Sequence, residues 1–198
     1  PKLWSDGLIT RDDEHASSAS CWGGGPVQQH GGRKAACVWA DDATMALTPV
    51  SRAVATMPSA SSPARGWRAW LGKQHSLYAQ HLQDEDGLFF HGQDASVHQR
   101  SCCKWSRANG WMMTAHVEVL SALENASSAE TFAAALAVFR RHSAAIAKVQ
   151  SADGRFYNLL NDSSTWLETS GTAMFAHSIA VGVLHGWLDR CGVLRAVP

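Results

Sequence analysis

The chain has 198 residues, of which 45% are hydrophobic and only 17% charged, against a usual charged share of about 25%. That balance excludes a disordered chain and predicts a well-buried, alanine-rich helical body, a single domain over residues 1–198. Lys plus Arg equals Asp plus Glu at 17 each, so no basic field exists for nucleic acid or an anionic membrane. No apolar run approaches the roughly 20 residues of a bilayer span.

The first residue is Pro1, with no charged-then-apolar leader behind it, so the natural N-terminus is expected to be missing and the compartment stays open. "SDGLI" (residues 5–9) is a turn signal. "ASSASCWGGGPVQQHGG" is a loop: its run Gly23 to Gly25 follows no strand and starts no helix, so it is not a phosphate cradle. Helical periodicity then predicts helices over residues 42–57, 64–83, 107–124, 129–150 and 168–188. Residues 57–63 read as a helix-to-helix connection, and "DEDG", "SADG" and "NDSS" as turns. "LFFH" and "RFYN" read as short extended arms, and no segment alternates like a strand for more than a few residues. Five cysteines form neither a CxxC pair nor an even set, so neither zinc nor a complete disulfide framework is expected. His75 and His81 have no third ligand at useful spacing and read as solvated helix residues.

An internal repeat organises these elements. "LQDEDGLFFH" (residues 82–91) aligns without gaps onto "VQSADGRFYN" (residues 149–158), as apolar-Gln-x-x-Asp-Gly-x-Phe-aromatic-polar, with a weaker copy in "SDGLI". After each copy comes a tryptophan with a polar residue two positions on: "WADD" from Trp39, "WSRANGW" from Trp105 and "WLETSG" from Trp166. Each then enters an apolar helix. A unit of two long helices with a decorated loop cannot bury its apolar face alone, so neighbouring units stack. The decorated loops then gather Trp39, Asp41, His91, Trp105, Arg107, Trp111, Trp166 and Glu168 around one mouth.

Taken singly, these residues admit two readings. Nine tryptophans suit sugar-stacking platforms, or indoles packed at loop corners. Asp41 and Asp42 open a helix, where capping and the helix dipole favour acids by about 0.5–2 kcal/mol. They are equally placed for proton chemistry, since a carboxyl behind Trp39 with a like charge beside it has two reasons for a raised pKa. His91 reads as a satisfied loop histidine or a ligand contact, and Arg107 as a carboxylate clamp or a partner of Glu168.

Together, "WADDATMA", "DEDGLFFHGQD", "CKWSRANGW" and "ADGRFYNLLNDSSTWLETSGTAMFA" resemble the unsaturated glucuronyl and rhamnogalacturonyl hydrolases. These are six-hairpin glycosidases of families 88 and 105. The resemblance implies an all-α fold of the (α/α)6-toroid type, of which about three hairpins are present. The chain thus reads as the central part of a longer toroid or as a truncated relative. It implies Asp41 as catalytic acid and base, Asp42 staying a first-turn acid. Substrate contacts fall to His30, Trp39, His91, Trp105, Arg107, Trp111, Trp166 and Glu168. The implied substrate is a lyase-generated oligosaccharide ending in a 4,5-unsaturated uronic acid, hydrolysed by vinyl-ether hydration with no metal or organic cofactor. A second important aspartate of the family belongs to an earlier hairpin than those seen here. The alternative class is a non-catalytic carbohydrate-binding relative that kept the aromatic mouth. A different toroid, such as a lyase or an isoprenoid-handling protein, would call for a tyrosine-rich cleft or a metal set, and only Tyr78 and Tyr157 occur.

Overall fold

Apolar residues at three- and four-residue spacing build five helices in the computed structural model, which describes residues 2–3, 6–12, 36–94 and 99–189. In α1 (Ala40–Ala55) the positions Ala40, Ala43, Thr44, Leu47, Ser51 and Val54 all point inward, the stripe that an amphipathic helix needs. α2 (Ser62–Leu82), α3 (Ser106–Leu123), α4 (Ala129–Lys148) and α5 (Thr169–Leu184) follow. α3 lies between α1 and α5, while α2 and α4 pack against each other and against the α1–α3 layer. The result is an inner layer of α1, α3 and α5 and an outer layer of α2 and α4, with Leu47, Leu71, Tyr78, Phe89, Met112, Leu120, Phe139 and Phe175 fully buried in the core. The inner helices are parallel. Thr44 bonds the Trp111 carbonyl near their starts, and Arg52 pairs with Glu118 near their ends at 2.6 Å.

Among the described residues seven short strands accompany the helices, where the sequence showed no strand alternation for more than a few residues. β1 (Lys2–Leu3), β2 (Ile9–Asp12), β3 (Ala36–Trp39), β4 (Gly92–Asp94) and β5 (Gln99–Arg100) form an antiparallel sheet in that order. β6 (Phe156–Leu159) and β7 (Asp162–Glu168) form a hairpin. Most are two to four residues long, too short for a period of two to register. Adjacent Cys102 and Cys103 are joined as a disulfide.

The repeat is physical. Gly7, Gly87 and Gly154 all sit at positive φ, +90°, +92° and +85°, where a side chain is strained and glycine is not. In each turn the aspartate accepts the amide two residues on: Leu8 to Asp6 at 3.0 Å, Leu88 to Asp86 at 2.9 Å, Arg155 to Asp153 at 3.1 Å. Each turn glycine carbonyl also accepts a glutamine amide, from Gln83, Gln150 or, for Gly7, Gln74 of α2. The fourth residue of the next inner helix then fixes the arm: Phe89 N–H donates to Asn109, and Phe156 N–H to Thr172. A Cβ on Gly87 would meet Ala145 Cβ at 2.9 Å and Arg141 O at 3.0 Å. Gly87→Ala is therefore expected to cost about 2–4 kcal/mol by urea unfolding, strain and overlap together. Gly186→Ala, at φ +70° with open space around it, should lose only the strain part.

His75 and His81, expected to be solvated, are buried at 0% and 8% exposure. Each finds ring-nitrogen partners inside. His81 bridges Asp6 and Gln93 at 2.8 and 3.0 Å, tying the first turn to β4. His75 faces His116 of α3.

Candidate active site

The outer helices begin on serine caps, Ser61 accepting from Ala64 N–H and Ser128 from Thr131 N–H. The inner helices α1 and α3 instead place Trp39 and Trp105 at that position, although an indole has no acceptor to offer. Local capping is given up where the inner helices reach the mouth, which is where such rules are expected to break.

Sheet register delivers the rest. β3 pairs with β4 so that Trp39 faces Gly92, and Ala40 N–H donates to the His91 carbonyl at 2.8 Å. Asp41, in the first turn of α1, is thereby set against His91, whose Nε2 lies 3.0 Å from the Asp41 carboxylate. Both side chains are about one-quarter exposed, at 26% each, so the pair is open to a ligand. The His91 ring stands between Trp39 and Trp105, with centroids 4.6 and 5.0 Å away. Arg107 stacks over Trp105 at 4.1 Å, and Trp105 Nε1–H donates to Asn158 Oδ1 at 3.1 Å. Asn158 is the repeat counterpart of His91, so each arm's last polar residue reaches the tryptophan of an inner helix. The repeat alignment was the signal for Asn158, which sequence reasoning left outside the site.

Glu168 closes the row. It is the N-cap of α5, accepting Ser170 N–H at 3.0 Å and Gly171 N–H at 2.6 Å. Burial pushes its pKa up, but Ser170, the Gly171 and Ser170 amides and the Arg107 charge outweigh that and hold it below the ordinary glutamate value. The expected equivalence of the three Trp-x-polar motifs fails here. Asp41 and Arg107 are each the second residue of a helix, whereas Glu168 precedes α5. The cause is the β6–β7 pairing of Phe156 with Glu168, which keeps the chain extended past Trp166. Trp166 itself is 69% exposed on β7. Trp111 is half-buried, one helical turn beyond Arg107 on α3. His30 lies outside the described residues. Among the described residues no group of three His, Cys, Asp or Glu is placed to hold a metal ion, and no helix is long and apolar enough to cross a membrane.

A carboxyl within hydrogen-bond reach of an imidazole can move protons. Indole faces and a guanidinium beside it can hold an anionic sugar. Parallel inner helices whose N-terminal ends gather these groups, backed by outer helices, match the fold of the six-hairpin toroid glycosidases, of which the chain covers part. The chain belongs to Glycosyl Hydrolase Family 88, whose family model matches residues 24–194.

Solved structures agree. A family 105 glycoside hydrolase from C. acetobutylicum ATCC 824 is 23% identical with a TM-score of 0.68, the match covering 77% of this chain and 44% of that one. A possible family 105 member from Salmonella enterica serovar Paratyphi A is 26% identical at TM-score 0.70, over 78% of this chain and 40% of that one. The unsaturated glucuronyl hydrolase of Bacillus sp. GL1, responsible for the degradation of glycosaminoglycan, shares the fold at 13% identity and TM-score 0.59, over 88% and 46%. The chain thus spans less than half the length of each of these. No curated protein matches it.

Proposed function

We propose that the chain is the central portion of a toroid domain that releases the 4,5-unsaturated uronic acid from lyase-generated oligosaccharides, with Asp41 as acid and base. The observation that carries this reading is the Asp41–His91 contact, flanked by Trp39 and Trp105 with Arg107 at its rim. Protonated Asp41 delivers its proton to C4 of the enol ether, and positive charge develops at C5 and the ring oxygen. The carboxylate then takes a proton from the water that adds at C5. The hemiketal collapses, freeing the saturated sugar and a keto-uronate. One carboxyl serving both steps differs from the two-carboxylate displacement at an anomeric carbon.

Arg107 uses the face of its guanidinium on Trp105, which leaves the N–H edge for the uronate carboxylate. Trp111 and Trp166 supply further ring faces, while His30, His91 and Glu168 bond sugar hydroxyls. Arg107→Lys keeps the charge but loses the planar edge and the stack. It is expected to raise KM for an unsaturated disaccharide about tenfold, or ~1.4 kcal/mol, with kcat nearly unchanged.

The test is the ultraviolet absorbance of an unsaturated uronyl disaccharide incubated with the chain, and with the same chain extended at both ends. The conjugated enol ether absorbs and its hydrate does not. Declining absorbance supports the reading, and a flat trace from both proteins overturns it in favour of a carbohydrate-binding relative.

A further inference from the structure

Behind the mouth, three histidines form a buried file that the proposed chemistry does not use. His75 Nε2 lies 2.7 Å from His116 Nδ1, His116 Nε2 lies 3.1 Å from His142 Nδ1, and His142 Nε2 lies 3.0 Å from Asn109 Oδ1. All three rings are wholly buried, on α2, α3 and α4.

The file has one possible direction, because backbone groups fix its end. Asn109 Oδ1 accepts the Phe89 N–H at 2.8 Å, while Asn109 Nδ2 donates to the Phe89 and Trp105 carbonyls, each at 2.9 Å. The amide therefore cannot be flipped, and its oxygen must face His142. His142 then carries its proton on Nε2, which leaves Nδ1 to accept from His116. The same logic puts the His116 proton on Nε2 and the His75 proton on Nε2. His75 Nδ1 ends the file as a bare lone pair with no hydrogen-bond partner among the described residues. Burial, which lowers all three pKa values, keeps the rings neutral. A proton cannot run along this file to the site, since Asn109 Oδ1 has no proton to pass on. Its consequence is geometric: all four hydrogen-bonding positions of Asn109 are filled, the condition under which a buried polar network becomes rigid.

Asn109 holds the two things the mouth depends on. It clamps Phe89, two residues before His91, and the carbonyl of Trp105, whose ring touches His91. The third unit does the same job with a hydroxyl: Thr172 accepts the Phe156 N–H and donates to the Glu168 carbonyl. A hydroxyl rotates to suit its partners, whereas an amide must be held at the correct flip. We propose that His75, His116 and His142 are positioning residues that lock the Asn109 amide and, through it, set His91 against Trp105 and Asp41. The effect on turnover rests on the function proposed above, whereas the effect on geometry does not.

The experiment uses the full chain labelled with 15N. Imidazole nitrogen shifts at neutral pH should show all three buried rings neutral with the proton on Nε2. A proton on Nδ1 of His142 or His116 overturns the proposal even if no variant folds. In His142→Phe, the Asn109 side-chain amide signals should broaden and the nuclear Overhauser contacts between His91 and Trp105 should weaken. kcat should fall by roughly 10²-fold, the scale of a small misplacement of reacting groups, with KM moving much less. His142→Gln, which returns a donor to Asn109, should restore both. A folded His142→Phe that keeps sharp Asn109 amide signals and the His91–Trp105 contacts sinks the idea. If the unsubstituted chain turns over no uronide, the spectroscopic results still decide the positioning role, and only the catalytic reading falls.

Discussion

Asp41→Asn is expected to lower kcat on an unsaturated uronyl disaccharide by about 10²–10⁴-fold, the usual span of a lost general acid–base, with little change in KM or unfolding midpoint. The substitution isolates the proton. An asparagine oxygen can still accept from His91 Nε2 at the observed 3.0 Å, so the His91 ring keeps its place between Trp39 and Trp105. What vanishes is the ability to deliver a proton to C4 and recover one from water. His91→Ala is the counterpart. It opens the space between the two indoles and should raise KM as well as lower kcat, because it removes a sugar contact together with the carboxyl's partner. If Asp41→Asn retains more than about one-tenth of the wild-type kcat, a factor worth ~1.4 kcal/mol of barrier, Asp41 is only a first-turn acid of α1. The direct measurement is loss of enol-ether absorbance under saturating substrate, with circular dichroism to establish that the variant is folded.

Why the helices were legible, and some of their surroundings were not, is a matter of range. Helices α1 to α4 begin and end within two residues of the expected bounds, because alanine and leucine spacing is a local signal. α5 stops at Leu184, short of the expected 188. Gly186 at φ +70° turns the chain, and Trp187 N–H returns to the Gly182 carbonyl at 2.8 Å, a glycine-terminated helix end. The Asp-Gly turns were legible for the same local reason. The small sheet was not, since its strands are too short to carry a pattern, yet one pairing in it, Trp39 with Gly92, brings Asp41 to His91.

Side-chain partnerships across units were the least legible part of the site. The polar residue ending each arm could be aligned, but not the fact that Asn158 reaches Trp105. Glu168 matched Asp41 and Arg107 by motif and differs from them by helix phase, a displacement created by pairing within β6–β7. His75, His116 and His142 are the extreme case. Their partners lie 41, 26 and 33 residues away in sequence, and nothing local distinguishes a buried neutral imidazole from a solvated one.

That burial produces the second large effect, a steep acid lability. Removal from water lowers His75 to about 4 and His142 to about 3, and holds His116 well below 6.5, where neighbouring His75 and His142 lower it further. In the unfolded chain each returns to about 6.5. Below that pH the unfolded state binds protons that the folded state refuses, so stability is whole above pH 6.5 and falls as pH drops toward 4. Each such proton is worth about 1.4 kcal/mol per pH unit, so three together approach ~4 kcal/mol per unit. Against a total of about 5–15 kcal/mol, the drop from pH 6.5 to 5 removes about 6 kcal/mol and the next unit about 4 more, so in the lower half of that range the folded state should be lost between about pH 5 and pH 4. The turn carboxylates cannot account for this. Asp153, held at about 2 by Arg155 and Ser151, and Asp84, lowered by Lys104, take up their protons below about pH 4, beneath the histidine window. Urea midpoints at half-unit steps from pH 7.5 to 4.5 measure the slope directly. A midpoint that stays level between pH 6.5 and 5 would mean the three rings are not buried as a neutral file. His75→Leu, at the open end of the file, should remove about one-third of the slope while leaving the His142–Asn109 bond in place.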